Sequence, residues 1–167
     1  MNSNDEHVSN LNNITPSSVE EESLLYQNVD QEEIAKFNRV SELWWDEKGK
    51  MGMLHVINPL RSQFAFDHIE TPNPRMIDIG CGGGILTEEL VKRGAVNVVG
   101  VDQSELTIKI AREHAKKSGL DIDYRLTTAE AIAEEEAGTY DAVTCLEMLE
   151  HVPDPSAIIQ ACATLLK

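Results

Sequence analysis

Positive charge is scarce in this 167-residue chain: 14 Lys and Arg stand against 29 Asp and Glu, a formal net charge of −15. Such a balance repels nucleic-acid phosphates and anionic surfaces unless basic side chains cluster. The nearest approach to a cluster is Arg112 with Lys116 and Lys117, which falls where a helix C-terminus favours cations. Nucleic acid is therefore not an expected partner. Residues 1–35 hold no Lys or Arg, no apolar run and eight carboxylates, which argues against a secretory signal or a basic transit peptide. Nothing approaches the roughly 20 apolar residues that a transmembrane helix needs. Cysteine is also sparse. Cys81, Cys145 and Cys162 are odd in number and form no CxxC pair, which speaks against a disulfide framework or a zinc ribbon and fits a reduced, cytoplasmic setting. A chain of this length with 41% hydrophobic residues can build one core but not two.

Three regions follow. Residues 1–24, rich in Asn, Ser and Glu, bury too little apolar surface to offset ordering entropy and are expected to form a disordered tail. Residues 25–72 read as a helical extension. Asp30 is an N-cap candidate with Glu33 three residues on, leading Ile34, Phe37, Val40, Leu43 and Trp44 at helical spacing over about four turns. Asn58-Pro59 reads as a cap with proline at the first position of a second helix, whose apolar face is Leu60, Phe64 and Ile69. From about residue 73 to 167, short apolar runs alternate with amphipathic segments, the texture of βαβ units around a parallel sheet. Strands are expected at Met76–Ile79, Asn97–Val101, Ile122–Leu126 and Ala142–Leu146. Helices are expected at Ile85–Arg93, Ser104–Lys117 (Leu106, Ile108, Ala111 and Ala115 inward), Glu130–Glu136 and Pro155–Leu166. The fold class is thus α/β, a Rossmann-like, doubly wound and mostly parallel sheet. Four strands are few for it, so the core reads as truncated, with strand four as an edge.

The end of the first strand carries Asp78-Ile79-Gly80-Cys81-Gly82-Gly83-Gly84. Glycines here let a ligand lie against the backbone in the crevice where open α/β sheets bind. A dinucleotide fingerprint, GxGxxG, would place its third glycine at position 85, which is Ile85. Asp78 puts a carboxylate where a cationic amino group can be held and where a pyrophosphate would be repelled. Asp102, 22 residues beyond Gly80 at the tip of strand two, can accept hydrogen bonds from both ribose hydroxyls, or else cap a helix. The ligand these residues describe is a cationic amino acid joined to a ribose. After strand four, Glu147, Glu150 and His151 would share one face if the segment were a helical turn. They could then ligate a divalent cation such as Mg, His151 could act as a base toward a phenol, or the three could simply close the pocket. Trp44 and Trp45 read as core or as a cover over the ligand.

The DxGxGxG run with the second acid resembles class I S-adenosylmethionine-dependent methyltransferases. That resemblance implies S-adenosylmethionine as cofactor, with Gly80, Gly82 and Asp102 in its site, Thr128-Ala129 beside the adenine and Leu146 in backbone contact. A narrower resemblance rests on Asn28-Val29-Asp30, Glu33–Phe37, Trp44-Trp45-Asp46, Leu54-His55 with Asn58-Pro59-Leu60-Arg61, and Cys145–Pro155. Together these look like the ubiquinone biosynthesis O-methyltransferases, over about residues 27–167. It implies a prenylated phenol or catechol acceptor, Arg61 on the methionine carboxylate, peripheral association with the inner membrane face and neighbouring quinone-pathway enzymes.

Overall fold

The computed structural model describes residues 28–167; the tail expected over 1–24 lies outside them. Chain order is α1 (Gln31–Val40), a 3-10 turn (Ser41–Leu43), α2 (Gly52–Asp67), β1 (Arg75–Ile79), α3 (Ile85–Lys92), β2 (Val96–Asp102), α4 (Glu105–Ser118), β3 (Asp123–Leu126), α5 (Ala129–Glu135), β4 (Ala142–Cys145), a second 3-10 turn (Leu149–His151) and α6 (Pro155–Leu165). The four strands are all parallel in the order β3-β2-β1-β4, so β3 and β4 are the edges of this sheet.

Alternation along the strands divides the core. Ile77, Ile79, Val99 and Val101 face α5 and α6, where they meet Ile132, Tyr140, Ile158 and Leu165. On the other face Met76 and Val98 pack on Leu86 and Leu90 of α3 with Phe66 and Ile69 beneath α2, while Tyr124 packs on Ile108, Ala111 and Ala115 of α4. Side chains that point alternately up and down are both buried here, as a doubly wound sheet requires. Caps fix the helix starts: Ser104 accepts from the Thr107 N–H, Thr128 from Ala131, and Asp154 from Ser156 and Ala157. Gly119 ends α4 in the left-handed conformation.

Three local expectations are corrected. The first helix stops at Val40 and passes into a 3-10 turn, so Trp44 lies beyond it. The second helix starts at Gly52 and carries Pro59 in its interior. Asn58 does not cap it, because its Nδ2 donates to the Ile85 carbonyl at 2.9 Å. The missing proline N–H is tolerated because polar contacts hold this stretch to α3: Arg93 Nε donates to the buried Ser62 Oγ at 2.7 Å and Arg93 Nη2 to the Pro59 carbonyl at 3.1 Å. With that face turned inward, Leu60 and Phe64 point out, 73% and 67% exposed. On α4 the inward row is Thr107, Ile108, Ala111 and Ala115, and Leu106 is exposed, because the Ser104 cap turns Thr107 toward Asp102. Among the described residues, no helix is long and apolar enough to cross a membrane.

Candidate functional site

The turn after β1 is shaped by glycine. Gly80, Gly82 and Gly84 have φ of +73°, +52° and +86°, a region that side-chain-bearing residues enter at a cost. The Gly80 and Cys81 N–H groups donate to the Val101 carbonyl at 2.8 and 2.9 Å, which ties the turn to the end of β2. From outside, two indoles press on it. A Cβ at Gly82 would stand 2.5 Å from Trp44 Cη2, and one at Gly83 would stand 2.6 Å from Trp44 Cγ. Trp45 Nε1 donates to the Gly83 carbonyl at 3.0 Å, and its ring stacks on His114 with 3.3 Å between centroids. Trp44 is both core and cover, buried and lining a cavity, while Trp45 is half-buried and does not line it.

That cavity, about 380 Å³, opens at the carboxyl ends of β1, β2 and β4 and is lined by Arg61, Asp78, Gly80, Gly82, Asp102, Ala129 and Leu146; Thr128, also expected there, does not line it and caps α5 instead. Asp102 organises its floor. Its Oδ2 accepts from the Gly82 N–H at 2.9 Å, and its Oδ1 accepts from the Ser104 N–H at 2.8 Å and Thr107 Oγ1 at 3.2 Å. Burial pushes its carboxyl up, against the bonds from Ser104 and Gly82 that favour the anion. Cap and ligand readings of this residue are thus compatible, since it bonds both the helix start and the turn. Ala129 is buried at the first position of α5, and Leu146 stands half-exposed just past β4.

Asp78 sits deeper than the sequence suggests. It is 2% exposed, and each carboxylate oxygen accepts a hydroxyl at 2.7 Å, Oδ2 from Thr87 on α3 and Oδ1 from Thr144 on β4. Burial, the largest influence, raises its carboxyl to about 6, with the two threonine bonds opposing.

The expected convergence of Glu147, Glu150 and His151 is not found. Glu147 has a φ of +54° and precedes the 3-10 turn, and its carboxylate pairs with Arg61. His151 instead turns its Nδ1 to Glu33 Oε2 of α1 at 2.9 Å, its Nε2 lying 4.0 Å from Glu150 Oε1. Among the described residues, no three His, Cys, Asp or Glu side chains are grouped to hold a metal ion. As placed, these three side chains do not face a common point.

Sequence reasoning missed three contributors. Met148 covers Gly80, where a Cβ would lie 2.5 Å from its Cγ. Phe37 meets the His151 ring edge-on at 4.9 Å between centroids. Glu33 was read only as the third residue of a capping box; Asp30 does cap α1, but the Glu33 carboxylate bonds His151 and Lys36. Only the long-range fold brings Glu33 to His151, so no local pattern could reveal it.

Residues 77–167 match the family model described as a methyltransferase domain. Over 140 residues, 84% of this chain and 60% of the relative, the chain is 54% identical to a Stutzerimonas stutzeri protein named ubiquinone biosynthesis O-methyltransferase. A protein of the same name from Hahella chejuensis is 49% identical over 141 residues, 84% of this chain and 59% of that relative. The chain thus spans about 60% of the length of the curated relatives it matches. Among solved structures, a putative S-adenosylmethionine-dependent methyltransferase from Methanococcus maripaludis aligns with a TM-score of 0.68 at 18% identity, over 84% of this chain and 62% of that one. Magnesium protoporphyrin IX methyltransferase from Synechocystis aligns with a TM-score of 0.65 at 23% identity, over 85% and 65%. At those identities the likeness is one of fold.

Proposed function

The chain belongs to the methyltransferase-domain family, and on that premise we propose that it binds S-adenosylmethionine and serves O-methylation of a polyprenylated phenol or catechol in ubiquinone biosynthesis. One observation carries the reading: the glycine turn, Asp102 and His151 all open onto the same cavity at the carboxyl end of the sheet. When bound, the cofactor supplies a methyl group already activated on a sulfonium. The protein's task is then to align an acceptor and remove its proton.

Each residue's part follows from its position. Asp102 accepts from the ribose hydroxyls with the lone pairs that its backbone bonds leave free. Gly80 and Gly82 let the ligand approach the main chain. Arg61 exchanges Glu147 for the methionine carboxylate, a trade of one guanidinium–carboxylate pair for another. Asp78 contributes negative charge from beneath the turn, and a cationic amino group in the cavity favours its ionised form. Ala129 borders the adenine, and Leu146 contributes backbone contacts to the cofactor. His151 takes the acceptor's hydroxyl proton. No step is assigned to a divalent cation, whose expected ligands stand apart. Because a polyprenyl tail partitions into lipid, this acceptor places the work at a membrane surface, with peripheral attachment from the cytoplasmic side beside other quinone-pathway enzymes.

Incubation with methyl-labelled S-adenosylmethionine and a demethylubiquinol analogue tests the reading. Label on a ring oxygen is expected. Cofactor binding without transfer would make the chain a binding module, and label on carbon or nitrogen would change the acceptor. For the cofactor itself, Asp102→Ala is expected to weaken binding by about 1–3 kcal/mol, the worth of hydrogen bonds to a charged group, or roughly five- to a hundredfold. Calorimetry checks this, and an unchanged dissociation constant would remove the ribose assignment.

A further inference from the structure

Nothing in the family match assigns a role to Glu33, yet among the described residues it is the one carboxylate within hydrogen-bond distance of His151, with Oε2 2.9 Å from Nδ1. We propose that Glu33 is a positioning residue for methyl transfer: it holds the His151 imidazole by Nδ1, so that Nε2 is the accepting nitrogen. The inference rests on the reading of His151 as the base.

The chemistry of the pair fixes the tautomer. An ionised carboxylate only accepts hydrogen bonds, so the proton shared with Glu33 sits on Nδ1 and a neutral ring keeps its lone pair on Nε2. Glu33 is ionised at neutral pH, since bonds from Lys36 and His151 hold its carboxyl below the usual range. When the acceptor hydroxyl reacts, its proton goes to Nε2 and the oxygen lone pair forms the new bond to the methyl carbon. The carbon–sulfur pair leaves with sulfur, and Glu33 faces the resulting imidazolium. Lys36 on α1 pairs with Glu33, and Glu150 on the ring's own turn lies 4.0 Å from Nε2.

Orientation requires that Glu33 itself be fixed, and α1 is pinned near both ends. Asn28 Nδ2 donates to Glu130 Oε1 and to the Asp154 carbonyl, both at 2.9 Å, while the Asp154 N–H donates to Asn28 Oδ1 at 2.7 Å. Toward the other end, Ser104 Oγ donates to Asn38 Oδ1 at 2.6 Å. One turn beyond Glu33, Phe37 presses edge-on against the same imidazole, limiting its rotation. A surface ion pair with no task would not need this frame, because exposed pairs contribute little to stability.

The test uses Glu33→Gln, Glu33→Asp and His151→Gln. The His151 ring-nitrogen resonances, which report its tautomer, are followed by NMR in the chain itself, and kcat and KM are measured with the demethylubiquinol analogue. In Glu33→Gln, the preference of His151 for the Nδ1-protonated tautomer is expected to be lost, since an amide can donate as well as accept. The kcat should fall roughly tenfold or more, with KM little changed. Cofactor affinity should change less than about twofold, and Glu33→Asp should restore part of the loss. A fall in kcat with the His151 tautomer unchanged would reduce Glu33 to a structural contact and overturn the proposal. Activity surviving in His151→Gln would instead overturn the base reading, and the positioning role with it. An inactive His151→Gln beside an unaltered Glu33→Gln would sink the positioning role alone.

Discussion

Gly84→Ala is expected to lower stability by about 2–4 kcal/mol, which for a domain of this size lowers Tm by roughly 5–15 °C. Two costs combine. Gly84 precedes α3 with φ +86°, and its carbonyl accepts the Glu88 N–H at 2.9 Å, so the backbone cannot relax without unwinding the helix start. A Cβ there would also lie 2.2 Å from Tyr124 Oη and 2.9 Å from its Cζ. Tyr124 cannot step aside, because its ring fills the space above Gly100, where a Cβ would meet Cδ1 at 2.6 Å, and it is 3% exposed. Gly94 supplies the control. It has φ +108° with no atom within 4 Å of a Cβ, so Gly94→Ala carries the backbone cost alone. Thermal and denaturant unfolding of both variants separates the two costs. Equal losses would mean that the tyrosine yields freely.

The second large effect is a dependence on pH. Burial raises the Asp78 carboxyl to about 6, against an ordinary 3.8, so between these values the folded protein holds a proton that the unfolded chain has released. Protonation then favours the fold: stability is highest at the acid end of that window, falls as pH rises from about 4 to about 6, and is level above. The difference of about two pH units corresponds to roughly 3 kcal/mol. Asp78→Asn keeps the shape and removes the titration. Against wild type, the variant is expected to gain roughly 3 kcal/mol in relative stability between pH 4 and pH 7. Urea midpoints of the two proteins across that range give the answer, and parallel curves would show that Asp78 does not titrate in this window.

The strands and helices from residue 75 onward were legible because local signals agreed there: Ser104, Thr128 and Asp154 cap, Gly119 stops, and the apolar runs match strand length. That the residues expected at the cofactor would share one cavity was legible for a related reason, since a glycine turn after one strand and an acid after the next are fixed by topology to one crevice. The helical extension was harder. Pro59 reads as a helix start by propensity, and only the contacts of Asn58, Ser62 and Arg93 with α2 and α3 show why it is interior. The 147–151 segment failed for lack of regularity: a positive φ at Glu147 breaks the helical spacing on which the metal expectation rested. The contact between Glu33 and His151 was invisible because the two lie 118 residues apart.

Both of the chain's tryptophans lie against the glycine turn, one ring spread over Gly82 and Gly83 and the other bonded to the Gly83 carbonyl and stacked on His114. All of the protein's indole emission therefore originates within van der Waals reach of the glycine turn. The molecule carries its own optical gauge, free of background from distant tryptophans, and a shift of Gly82–Gly83 alters the surroundings of every emitter at once.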